Sequence, residues 1–198
     1  MHVTEVCDAD AAHLITNVMT CPAMQPDIAS TATFHEQPAA KNLLPAEHFM
    51  DAGYVDAGLL VGSRRDHDVA LEGPVSAMPR RTTQAAQAYD QRHFAIDWEG
   101  ERVTCPQGKT SMTWRATRDE VGTRRFQAVF SRTDCGACAT RALCTASKDA
   151  RRSVYFLPRP QYEALNAVRY RMQDPAWKQR YSICAGIEGT LSQASFPT

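Results

Sequence analysis

The sequence predicts an α/β fold interrupted by a small β-rich, cysteine-containing insert. Three observations carry this. Strand-like and helix-like stretches alternate over the first seventy-five residues and helices return at the end. The charge changes sign in the middle, and four of the seven cysteines fall there. A chain of 198 residues is long enough for one domain with a hydrophobic core plus a modest insertion. The formal net charge is zero, yet residues 1–101 hold six Lys/Arg against fifteen Asp/Glu, whereas residues 102–152 hold eleven against four. A basic module thus sits in an acidic frame, and the module alone has the charge to favour a polyanionic partner.

Each element has a local cause. The runs HVTEVC and HLITNVMTC, separated by the turn-rich DADAA, predict an antiparallel hairpin. Asp27 can cap a helix running to about Asn42. Pro45 then breaks the chain before a short strand through Met50, which leaves Asp51 at that strand's C-terminal end. Asp56 opens a helix through DAGLLVGSRRDH, and DVALEGPV reads as a strand stopped by Gly73 and Pro74. Residues 76–92 are polar, carry no period and read as a linker. FAIDWEGERVTCPQG predicts a hairpin turning at Gly100, and RRFQAVFS a strand leading into the cysteines. After VYFLPRP the helical signals return in QYEALNAVRYRMQ and in DPAWKQRYSICAGIEGTLSQ, whose Asp-Pro pair is a good helix start. Glu188 is predicted to lie on this last helix.

These readings divide the chain into an N-terminal part of an α/β core (1–75), a basic cysteine-rich insert (76–152) and a C-terminal helical part of the core (153–198). The chain opens on a strand and closes on a helical run, so it reads as truncated at both ends. No apolar run approaches the roughly 20 residues of a membrane-spanning helix, and no basic leader precedes an apolar segment. The expectation is a cytoplasmic protein with no membrane association.

Four groups of residues carry candidate chemistry. Asp51, in HFMDAGY, is a carboxylate fixed by a strand, which suits a hard cation such as Mg²⁺; the competing reading is an ordinary turn aspartate. Glu188, in AGIEGTLSQ, is flanked by Gly186 and Gly189. Each glycine costs a helix about 1 kcal/mol relative to alanine, so close packing or a bent backbone should require them. Cys105, Cys135, Cys138 and Cys144 are spaced C-x29-C-x2-C-x5-C, a pattern in which four thiolates could close a tetrahedral structural Zn²⁺ site. A redox C-x-x-C is the competing reading, although the basic β-rich surroundings lack the βαβ unit that such a motif favours. Cys7, Cys21 and Cys184 read as small buried hydrophobes. The fourth group is basic: Arg115, Arg124, Arg125, Arg141, Arg151 and Arg152, near Trp98 and Trp114, suit DNA phosphate contact, against a plain solvated surface. The histidines show no ligand spacing and receive no role.

Taken together, HLITNV, HFMDAGY with LL, VTCPQGK with W, CGAC with R-x-x-CT, and Y-x-x-x-AGIEGTLSQ occur in the order found in bacterial insertion-sequence DDE transposases. The chain resembles the group whose catalytic domain carries a cysteine-containing insert. The resemblance implies an RNase H-like mixed sheet with flanking helices, here incomplete, and Mg²⁺-dependent cleavage and transfer of DNA strands. Its partners would be the element's ends and target DNA, with a homodimer in the intact family member. Asp51 matches the family's second aspartate and Glu188 its glutamate. No residue matches the first aspartate, since Glu5, Asp8 and Asp10 lie at or beyond the second strand, and Cys184 stands near the position of a usual arginine. The resemblance therefore implies a transposase fragment that is inactive alone. The alternative is a non-catalytic zinc-bearing DNA-binding module.

Overall fold

The computed structural model describes residues 2–8, 12, 14–22, 24, 27–76, 88–149 and 151–184. Glu188 lies outside the described residues, as does much of the 76–92 linker. Along the chain the elements are β1 (His2–Glu5), β2 (Ile15–Met19), α1 (Thr31–Ala40), β3 (Glu47–Phe49), α2 (Ala57–His67), β4 (Ala70–Glu72), β5 (Ala95–Asp97), β6 (Arg102–Thr104), β7 (Thr113–Arg118), β8 (Arg124–Val129), α3 (Arg132–Gly136), α4 (Arg141–Cys144), β9 (Ser153–Phe156), α5 (Arg159–Arg171) and α6 (Pro175–Cys184). This is a mixed α/β architecture with several small sheets. It divides into two compact units, Met1–Ser76 with Glu163–Thr198, and Ala77–Tyr162.

In the first unit β1 and β2 pair antiparallel, as the hairpin pattern predicts. β3 and β4 pair parallel, Glu47 opposite Ala70 and Phe49 opposite Glu72. Parallel neighbours need a crossover, and α2 supplies it. Its start is set by Asp56, whose side chain accepts from the Leu59 N–H at 2.7 Å. Its end is set by Asp68, which takes the left-handed conformation (φ 56°) and donates its N–H to the Arg64 carbonyl. Arg64, Arg65 and His67 fill the last turn, where positive charge complements the helix dipole. The helix expected from Asp27 differs at its start: Asp27–Ser30 form a 3-10 turn, and α1 follows without a side-chain cap. Gly73 is required where β4 leaves the sheet, because a β-carbon there would run into the Met50 carbonyl and come within 2.8 Å of Val55 Cγ2. The core gathers Met19, Phe34, Met50, Val55, Leu60, Leu71, Val75 and Val168. Of the cysteines that read as buried hydrophobes, Cys7 is instead disulfide-bonded, and Cys21 Sγ lies 2.8 Å from His2 Nε2.

Three histidines given no role by the sequence meet in this unit. His35 Nε2 lies 3.1 Å from His48 Nδ1, and the His67 ring centroid is 5.5 Å from that of His35. Burial, reinforced by the neighbouring imidazole of His67 for His35 and of His35 for His48, lowers both pKa values from 6.5 to about 4. A ring that resists protonation in the folded state is protonated first in the unfolded chain. The stability this pair contributes is therefore complete above pH 6.5 and is lost as pH falls from there toward about 4. Chemical denaturation of the chain should show a loss on the order of a few kcal/mol across that window. His35→Gln should flatten the dependence; an unchanged slope in that variant contradicts the assignment.

In the second unit β5 and β6 form the expected hairpin, and β7, β8 and β9 form an antiparallel sheet in that order. The sequence pattern does not announce β7, because TWRATR interleaves charges with only small or single aromatic residues. Residues 153–162, grouped by sequence with the C-terminal helices, belong to this unit: Phe156 pairs with Phe126 in the sheet. Phe94, Val103, Ala128, Phe130, Val154 and Phe156 make its core. Trp98 closes one side through edge contacts to Trp114, Phe156 and Tyr162, with centroids 5.5 to 5.8 Å apart.

Candidate active site and cysteine cavity

Asp51 lies two residues beyond β3, at the start of the 3-10 turn Ala52–Tyr54, with its side chain free of any capping bond. The Tyr181 hydroxyl donates to its Oδ1 at 3.0 Å. Tyr181 belongs to α6, and the same helix makes two more polar contacts with the β3/β4 pair. Arg180 Nη1 donates to Glu47 Oε2 at 2.8 Å, and Trp177 Nε1 donates to Glu72 Oε2 at 2.8 Å. Residues 177, 180 and 181 share one helix face by their i, i+3, i+4 spacing, so one face of α6 meets the carboxylates of the two strands. The Trp177 and Tyr181 rings stack at 5.2 Å with an interplanar angle of 3°, which orders the tyrosine that holds Asp51. Glu72, 4 % exposed, also takes Arg171 Nη2 of α5 at 2.8 Å. Sequence reasoning finds Asp51 but gives no role to Tyr181, although Y-x-x-x-AGIEGT places it in a fixed relation to Glu188. Glu188 follows the end of α6 by four residues and lies outside the described residues.

The four clustered cysteines are all free and half-buried. Cys105 follows β6 in a turn closed by the Gly108 N–H on its carbonyl at 2.9 Å, with Gly108 at φ 74°. Cys135 is in α3, Cys138 two residues past its end, and Cys144 closes α4. All four line one cavity of about 370 Å³. Burial pushes the Cys144 thiol up to about 11. Among the described residues, no three His, Cys, Asp or Glu side chains are already gathered closely enough to hold a metal ion.

The basic residues separate by strand alternation. Arg115 of β7 faces Gln127 of β8, which faces Tyr155 of β9; Arg115 Nε donates to Gln127 Oε1 at 2.6 Å, and Gln127 Nε2 donates to the Tyr155 hydroxyl. Arg125 shares this face and donates to Asp119 Oδ2 at 2.8 Å. Arg124 lies over the Phe126 ring, 5.4 Å from its centroid. Arg141 donates to the Ser147 carbonyl at 3.1 Å, and Arg151 to Asp149 at 3.3 Å. Arg152 departs from the expectation of a phosphate contact. At the entry to β9 it has the parity of Val154 and Phe156, the core face, and is 7 % exposed with its guanidinium 5.3 Å above the Phe94 ring.

Among the described residues no helix is long and apolar enough to cross a membrane. No curated protein and no solved structure matches the chain. Residues 104–196 match the family model described as the transposase DDE domain, a segment that contains the four clustered cysteines, α6 and Glu188. Over residues 104–196, therefore, the chain is similar to the transposase DDE domain family.

Proposed function

We propose that this chain supplies two of the three metal-binding acids of a DNA transposase, Asp51 and Glu188, on an RNase H-like core. One observation carries the reading: the helix that leads in sequence to Glu188 hydrogen-bonds Asp51 through Tyr181. That contact brings together segments separated by 130 residues, as one shared catalytic cleft requires. The donor set fits a hard cation, since Asp51 is exposed and, with Oδ1 held by Tyr181, presents Oδ2 as the atom available for ligation. Magnesium, when bound, supplies Lewis acidity at the attacking and leaving oxygens of an in-line phosphoryl displacement. The chain's own residues do the positioning. Tyr181 fixes the Asp51 carboxylate, and Arg180 and Trp177 fix the helix that carries Tyr181.

The DNA substrate that the family implies is met, in this reading, by the basic residues of the second unit, with Arg115 and Arg125 on the sheet face of Gln127 and Tyr155, Arg124 at the start of β8 on the opposite parity, and Arg141 and Arg151 in the segments before β9. Arg152 is not part of this set. Each phosphate neutralised releases condensed counterions, so duplex affinity should fall steeply between about 50 and 200 mM salt, and Arg115→Ala with Arg125→Ala should reduce the slope by about one to two contacts. Because no residue matches the first aspartate, the 198-residue chain should bind DNA without nicking it. Salt-independent binding would contradict the electrostatic account, and Mg²⁺-dependent nicking by the chain would contradict its inactivity. The cysteine cavity takes no part in this chemistry.

A further inference from the structure

The second unit holds a buried cation, Arg152. Arg152 is 7 % exposed, its Nε has no hydrogen-bond partner among the described residues, and it lines the same cavity as the four cysteines. Asp90 is bonded instead to Arg92 and His93. A guanidinium taken out of water with its Nε unbonded, and with the nearby Asp90 carboxylate already engaged by Arg92 and His93, is costly and is retained where a further counter-charge completes it. The cavity offers one source of that counter-charge: Cys105, Cys135, Cys138 and Cys144. As thiols they are neutral.

We propose that these four cysteines bind one zinc ion as a closed tetrathiolate centre, and that the buried Arg152 guanidinium is its counter-charge. The zinc ion displaces four thiol protons to solvent, and the resulting centre carries two negative charges, one of which Arg152 offsets. Two observations support the ligand set. Cys105 and Cys135 each head a tight turn, closed by Gly108 N–H on the Cys105 carbonyl at 2.9 Å and by Cys138 N–H on the Cys135 carbonyl at 3.4 Å. Such turns let short segments present thiolates inward. Cys105, Cys135 and Cys144 also pack against the aromatic core, so the ligand-bearing segments are anchored to β6, β8 and β9. The thiols share a cavity without converging on one point, so metal binding closes them by side-chain rotation and should stiffen α3 and α4. An all-sulfur, tetrahedral site with no open position suits zinc in a structural role.

The test uses the full 198-residue chain purified under reducing conditions. Elemental analysis should give one zinc per chain, and replacement by Co²⁺ should give the intense thiolate charge-transfer and tetrahedral ligand-field bands of a four-sulfur site. Cys138→Ser should weaken the charge-transfer band. Arg152→Met should lower zinc affinity, measured by chelator competition, by about 10- to 100-fold, while Arg152→Lys, which keeps the charge, should retain most of it. Zinc well below one per chain, an octahedral cobalt spectrum, or a reversible Cys135–Cys138 disulfide as the stable state overturns the metal centre. These outcomes are read on the wild-type chain and stand even if a variant fails to fold. Equal affinity in Arg152→Met and wild type overturns the counter-charge role alone.

Discussion

Replacing Glu72 with alanine should destabilise the first unit by about 3–5 kcal/mol, the cost of breaking a buried charged pair by removing one partner. Glu72 ends β4, is 4 % exposed, and receives Arg171 on one oxygen at 2.8 Å and the Trp177 indole on the other at 2.8 Å. Removing it leaves the Trp177 N–H, on a residue 4 % exposed, without an acceptor. Arg171 is 41 % exposed and recovers some hydration, which places the expected value toward the lower end of the range. Glu72→Gln keeps an acceptor for the indole and should lose only about 1–2 kcal/mol. Urea denaturation of the three proteins measures the series. A loss below about 1 kcal/mol for the alanine variant would mean that Glu72 does not strap the two C-terminal helices to the sheet.

That strap matters because of what α6 carries. With Trp177 released, the helix face that presents Arg180 to Glu47 and Tyr181 to Asp51 loses one of its three polar attachments. The stability defect and a displaced Asp51 carboxylate should therefore appear together.

What is legible in the sequence is local. The Asp56 cap, the strand–helix–strand run of β3, α2 and β4, and both predicted hairpins follow from capping chemistry and short-range periodicity, which need no knowledge of distant segments; the parallel pairing of β3 with β4 is added by the structure. The elements that escape are defined by distant partners. His35, His48 and His67 come from α1, β3 and the end of α2, and nothing in their spacing announces that the fold gathers them. Tyr181 sits in a motif whose order is visible, but its contact with Asp51 spans 130 residues. Arg152 reads with Arg151 as one basic surface because the two are adjacent; a strand beginning at Ser153 sends neighbours to opposite faces and takes Arg152 into the core. The two candidate acids, Asp51 and Glu188, are singled out only jointly, through the resemblance, since neither HFMDAGY nor AGIEGT distinguishes a ligand from a turn aspartate or a surface glutamate by itself.

The largest expected effect concerns the pairing of Asp51 with Glu188 at one divalent cation. Two carboxylates without the third bind a metal weakly, so a method that reads proximity is better suited than one that reads affinity. Ferrous ion in place of magnesium, with ascorbate and peroxide, generates radicals that cut the polypeptide next to the bound ion. In the 198-residue chain this should produce two sets of fragments, one ending near Asp51 and one near Glu188, both suppressed by excess Mg²⁺ and both lost in Asp51→Asn. Tyr181→Phe, which removes the hydroxyl on Asp51 Oδ1 while keeping the ring stacked on Trp177, should weaken both sets together. Paired cutting that depends on Asp51 is the result the account predicts; cutting near one acid only, or cutting that persists in Asp51→Asn, would contradict a shared metal site.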